Sequence, residues 1–227
     1  MRWLAAALVT AAVATAAPAH ADATLDGVRV RTTADTTQAV TVNHTRGYHA
    51  RVTYWARRTG GPWEARGRVA DGRTGYGGLV RAAYRHQGTG TTPLGTFRLP
   101  WAFGHHAPVD GWRLRYRQVR PGDYWVQDNA SAYYNRYRNR SQGGFRWWLE
   151  SSDPNSSERL MAFRTQYEYA IVTSFNREQV RHRGSGIFLH VNGRGATAGC
   201  VSAPRWFLRM LMRTLDPDRR PVVAIGR

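Results

Sequence analysis

Ser185-Gly186-Ile187-Phe188-Leu189-His190-Val191-Asn192-Gly193-Arg194-Gly195-Ala196-Thr197-Ala198-Gly199-Cys200-Val201-Ser202 reads as an apolar strand ending at His190, then a loop with three glycines that delivers Cys200. Ile187 to Val191 is β-branched and aromatic with no helical period, so a strand is predicted there. Cys200 is the chain's sole cysteine and follows His190 by ten residues. A thiol with its ordinary pKa of about 8.5 is mostly protonated at neutral pH, and a neighbouring imidazole activates it. Gly199 lets backbone approach closely, so the N–H groups of Gly199 and Cys200 can aim at a developing oxyanion. A lone cysteine also reads as a small buried hydrophobe.

Downstream, Ala203 to Leu215 is the best helix candidate. Ser202 stands at its N-cap, Pro204 in its first turn, and Phe207, Met210, Leu211 and Leu215 on one face. The positive end of that helix would lie near Cys200. Asp216-Pro217 stops it, and Val222 to Ile225 returns as a last strand. Upstream, Gln38–Val42 and Ala50–Trp55 alternate with the period of strands, and Gly60-Gly61-Pro62 and Asp71-Gly72 signal hairpin turns. Gly88 to Leu99 is a glycine-rich loop running into a strand. Tyr133–Trp148 reads as irregular and Tyr167–Phe175 as β-rich. There is no internal repeat and no long linker. The expected fold is a single domain, mostly β with few helices.

The 227 residues carry a net charge of +18, and all 33 basic residues are arginine. Without lysine there is no P-loop lysine, no Schiff base and no Ser-x-x-Lys acylation site. One cysteine excludes an internal disulfide and a cysteine zinc cluster. His44, His49, His86, His105, His106, His182 and His190 lack metal-ligand spacing, so no metal is expected. Glu64, Glu150, Glu158, Glu168 and Glu178 are scattered, and nothing local supports a glycosidase pair.

Arg2 followed by an apolar run and Ala19-His20-Ala21 reads as a secretory signal at residues 1–21, cleaved before Asp22. The run is shorter than the roughly 18–20 residues that span a bilayer, and no second run matches it. The expectation is a secreted, extracellular monomer. A strongly basic surface attracts polyanions, and Tyr133-Tyr134-Asn135-Arg136-Tyr137-Arg138 would suit stacking on single strands. The arginines are nevertheless spread along the whole chain and no nucleic-acid motif occurs. Anionic cell-wall polymers are the expected partner, with no specific nucleic acid.

Thr197-Ala198-Gly199-Cys200-Val201, with His190 before it, resembles the signature of the YkuD-type L,D-transpeptidase catalytic domain. Thr92-Pro93-Leu94-Gly95-Thr96-Phe97 is similar to a Pro-Gly segment found earlier in such domains. The resemblance implies a β-sandwich or barrel-type domain over residues 22–227. It implies acyl transfer on peptidoglycan stem peptides, with Cys200 as nucleophile and His190 as base, and no cofactor. Thr197, Ser202 and Asn192 are the implied substrate contacts. Ala198 stands where the family usually has histidine, and Ser202 where it has arginine or asparagine. The loop from His190 to Cys200 is also shorter than in common members, which marks a divergent branch.

Other readings remain open at this level. An L,D-carboxypeptidase would resolve the same thioester with water. A sortase is another secreted Cys/His transpeptidase, but it places its histidine far upstream. NlpC/P60-like hydrolases carry cysteine before histidine. A secreted polyanion-binding module would leave Cys200 inert.

Overall fold

The computed structural model describes residues 21–227, so the expected signal segment, apart from Ala21, lies outside the described residues. β1 (Ala21–Leu25) and β2 (Val28–Thr32) pair as an antiparallel hairpin. β3 (Gln38–Arg46), β4 (His49–Ala56) and β5 (Glu64–Arg73) form an antiparallel meander. Then come β6 (Leu79–Arg81), β7 (Thr92–Arg98), β8 (Trp101–Gly104) and β9 (Tyr116–Gln118). β10 (Asp123–Trp125), β11 (Tyr137–Asn139) and β12 (Glu158–Arg159) make a separate three-stranded sheet. The chain ends with β13 (Ala170–Val172), β14 (Phe188–Val191), β15 (Val201–Ala203), α1 (Arg205–Thr214) and β16 (Val222–Gly226).

Eleven strands form one mixed sheet in the order β6-β7-β16-β3-β4-β5-β15-β14-β13-β8-β9. Its two halves meet at a single residue pair, Ser202 of β15 opposite Arg73 of β5. A sheet so thinly joined can fold over on itself. Val40, Val42 and Val52 from one half share a core with Leu189, Val191 and Val201 from the other. Phe207, Leu208, Leu211 and Met212 of α1 are buried in the same core. The protein is thus a mostly β sandwich with one α-helix among the described residues.

The period of two assigns the faces. Leu189 and Val191 turn into the main core. Phe188 belongs to a second cluster with Phe103, Trp125, Tyr167 and Cys200, in which β10 contributes Trp125.

Several local expectations shift. Asp71-Gly72 is not a hairpin turn but part of β5, where the pairing with β4 is bulged between Ala50 and Val52. A Cβ at Gly72 would come within 2.7 Å of the Ala50 carbonyl, so the glycine serves close strand approach. Ser202 is not the helix N-cap: it lies inside β15, and Pro204 takes the cap position without a side-chain bond. The buried face of α1 takes in Leu208 and Met212, while Met210 is only partly buried, against Gly67 of β5. Tyr167–Phe175 forms strand only at Ala170–Val172.

Candidate functional site

β14 and β15 run parallel with His190 opposite Ser202, which places Cys200, two residues earlier, on the same face as His190. Both line a cavity of ≈ 350 Å³ together with Glu158, Tyr167, Ser185 and Arg85. The connecting loop is zipped along the chain after β5. Thr197 N–H donates to the Thr74 carbonyl at 3.0 Å, and Tyr76 N–H donates to the Thr197 carbonyl at 2.9 Å. Arg73 donates from Nη1 to the Gly193 carbonyl at 2.8 Å, which pins the start of the loop. Behind the cysteine, buried Thr92 of the Pro-Gly segment accepts the Gly75 N–H at 2.7 Å and donates to the Cys200 carbonyl at 3.5 Å.

His190 Nδ1 lies 2.8 Å from the Val191 carbonyl. A carbonyl only accepts, so Nδ1 carries the proton and Nε2 is left with its lone pair. Burial pushes this imidazole down to about 4. The Cys200 thiol donates to the Gly186 carbonyl at 3.1 Å, and the Phe188 N–H donates to its sulfur at 3.4 Å. Burial raises the thiol to about 12, and the Glu158 carboxyl adds to the rise; the Phe188 N–H and the Arg85 charge oppose it. Both groups are therefore neutral at pH 7 in the resting site. The thiol hydrogen points to a backbone carbonyl rather than to the imidazole.

The implied substrate contacts divide. Thr197 lines the cavity, with its hydroxyl donating to the Cys200 carbonyl at 2.6 Å and accepting the Gly199 N–H at 3.1 Å. That bond engages one of the two expected oxyanion donors. The Cys200 N–H takes part in no turn or loop bond among the described residues. Ser202 and Asn192 lie outside the cavity lining. Ser202 Oγ donates to Asn192 Oδ1 at 2.7 Å, and Asn192 Nδ2 donates to the Asp71 carbonyl at 2.8 Å. They brace the loop.

Four lining residues were not legible as site residues in the sequence. The Tyr167 hydroxyl donates to Glu158 Oε1, and the Tyr167 ring meets the His190 ring edge-on at 5.5 Å. Burial raises the Glu158 carboxyl to about 7. Arg85 and Ser185 complete the set. Among the described residues no group of His, Cys, Asp or Glu could hold a metal ion. The aromatic-arginine stretch is mostly tied inward: Tyr134 is fully buried, and Asn135 Oδ1 accepts the Trp125 indole N–H at 2.9 Å and the Gly186 N–H at 3.0 Å.

A family model, the YkuD L,D-transpeptidase catalytic domain, matches residues 38–223. No curated protein and no solved structure matches the chain.

Proposed function

The chain belongs to the YkuD family of L,D-transpeptidase catalytic domains, and on that premise we propose that it is a secreted cysteine acyltransferase acting on peptidoglycan stem peptides. The observation that carries this reading is the bond at His190: its Nδ1 proton is fixed on the Val191 carbonyl, so Nε2 keeps its lone pair in a side chain that lines the same cavity as Cys200. The thiol gives its proton to Nε2 as sulfur bonds to the donor's carbonyl carbon. For this the thiol must turn from the Gly186 carbonyl toward the imidazole, a contact that tightens when substrate fills the cavity. The Cys200 N–H is the donor for the oxyanion. As the carbonyl re-forms, the bond to the leaving nitrogen breaks, and the imidazolium returns the proton to that nitrogen. A thioester and a free amino acid result. The amine of a second stem then attacks the thioester carbon, loses its proton through His190 and releases the thiol. Water in place of that amine gives hydrolysis. The site residues need no cofactor for these steps.

Export with cleavage before Asp22, and retention on anionic wall polymers through the +17 charge that remains once Arg2 is removed from the +18 of the full sequence, belong to the same proposal. The test is mass spectrometry of purified muropeptides incubated with the mature protein. Cross-linked or exchanged products should form with wild type and be absent with Cys200→Ala. His190→Ala should slow them about 10²–10⁴-fold, the usual worth of a general base. Turnover by Cys200→Ala at the wild-type rate would refute the reading.

A further inference from the structure

Arg85 is a buried cation without an anion. It is only 5% exposed and takes part in no ion pair among the described residues. Nε donates to the Thr91 carbonyl at 2.7 Å and Nη1 to the Arg183 carbonyl at 3.3 Å, while the guanidinium lies over the Phe175 ring. Nη2 makes no hydrogen bond of its own among the described residues, and Arg85 lines the cavity that holds Cys200. Burying a charge is costly unless a counter-charge meets it.

The chain is shaped around this guanidinium by two glycines. A Cβ at Gly184 would stand 1.7 Å from Nη1, and one at Gly199 would stand 2.7 Å from Nη2. Gly199 adjoins Cys200. Gly184 is followed by Ser185, and then by Gly186, whose carbonyl receives the Cys200 thiol. Through Gly199 the guanidinium is one residue, roughly 3.8 Å of chain, from Cys200 itself; through Gly184 it is two residues from the carbonyl that receives the thiol. Ser185 sits between them. It is 8% exposed, lines the same cavity, and its Oγ has no hydrogen-bond partner.

We propose that Arg85 and Ser185 form a carboxylate subsite that holds the free C-terminal carboxylate of the departing amino acid, so that these two residues set the site's preference for a free acid at that position. The proposal rests on the acyl-transfer reading above. The spacing suits it, because the carboxylate of a leaving residue lies one residue beyond the carbonyl that sulfur attacks. A guanidinium binds a carboxylate through paired N–H donors, and a hydroxyl supplies a third. An amide or a further residue at that position leaves the cation unpaired and is rejected.

The experiment uses the mature protein with two synthetic stem peptides that differ only in a free acid or an amide at the C-terminus. It reads release of the terminal amino acid or its amide. Wild type should favour the acid by roughly 10²-fold in kcat/KM, the scale of one buried charge pair. Arg85→Gln should lose about that factor on the acid donor and change little on the amide, so the preference collapses. Arg85→Lys should restore part of it. Ser185→Ala removes a hydroxyl with no partner, so it should keep its Tm while KM for the acid donor alone rises several-fold. Equal loss on both donors in Arg85→Gln at unchanged Tm would overturn the subsite in favour of a role at the sulfur or oxyanion. If Arg85→Gln fails to fold, a Ser185→Ala protein with unchanged KM for the acid overturns it. Wild type that turns over both donors equally, with Cys200→Ala dead, sinks the subsite alone. Inactivity of wild type on both donors sinks the acyl-transfer reading, and the subsite with it.

Discussion

Burial, with the Glu158 carboxyl adding to it, holds Cys200 as a thiol up to about 12, and its hydrogen goes to the Gly186 carbonyl. Its alkylation rate should therefore keep climbing about tenfold per pH unit beyond pH 10, where an ordinary thiol levels off near 8.5. A plateau at or below pH 8 would contradict the neutral resting site. Glu158→Gln removes the carboxyl that raises the thiol, so the alkylation profile should move to lower pH. The same substitution bears on stability. The fold raises Glu158 from 4.5 to about 7, so its stabilising effect is complete below about pH 4.5 and lost as pH rises through 7. His190 runs the other way: lowered from 6.5 to about 4, it favours the fold above 6.5 and loses that contribution as pH falls toward 4. Glu158→Gln should accordingly raise Tm at pH 8, by about 2–4 °C per kcal/mol recovered, and leave it unchanged at pH 4.5. A Tm difference independent of pH would contradict this. Gly199, at φ +129° with Arg85 Nη2 and the Thr91 carbonyl 2.7 and 2.8 Å from where a Cβ would stand, has no room for a methyl group. Gly199→Ala should cost about 1–3 kcal/mol in denaturant unfolding.

At the scale of elements, the loop between β14 and β15 is held from outside itself. Arg73 donates to the Gly193 and Gly195 carbonyls at 2.8 and 3.4 Å, at the one pair where the sheet halves join. Arg73→Ala should release the loop and lower kcat by about 10–10²-fold, as small misplacements of reacting groups do, while circular dichroism stays native. Unchanged kcat would mean the loop holds itself. In α1, Leu211→Ala should cost about 2–5 kcal/mol, because the side chain is wholly buried between the sheet halves. The sequence made the strands at Gln38, Ala50, Phe188 and Val222 readable, because alternation or an unbroken apolar run marks them locally. The neighbourhood of His190 and Cys200 was readable too, because His190 lies on β14, Cys200 immediately precedes β15, and only a loop separates them. Asp71-Gly72 misled, since a glycine that serves strand approach looks the same as one that serves a turn. Arg85, Glu158 and Tyr167 could not be read as a set: they come from segments far apart, and only burial distinguishes Arg85 from the other arginines among the described residues.

Over the whole molecule, the charge and the cavity do different work. Among the described residues no helix is long and apolar enough to cross a membrane. The net positive charge, +18 for the full sequence, acts through screened, long-range attraction; in the proposed function it brings the protein to anionic walls, but it chooses no bond to break. Binding to isolated cell walls should be strong at low salt and released by roughly 0.5–1 M salt, where the Debye length falls to about 3–4 Å; salt-independent retention would mean a specific ligand contact instead. The proposed chemistry rests on Cys200, and intact-protein mass spectrometry of a rapidly quenched mixture of the mature protein and a stem-peptide donor tests it most directly. The expected result is one adduct whose mass is that of the donor less its terminal amino acid, mapped to Cys200 and absent from Cys200→Ser. A donor consumed at the full rate with no adduct, or an adduct carried by any other residue, would contradict it.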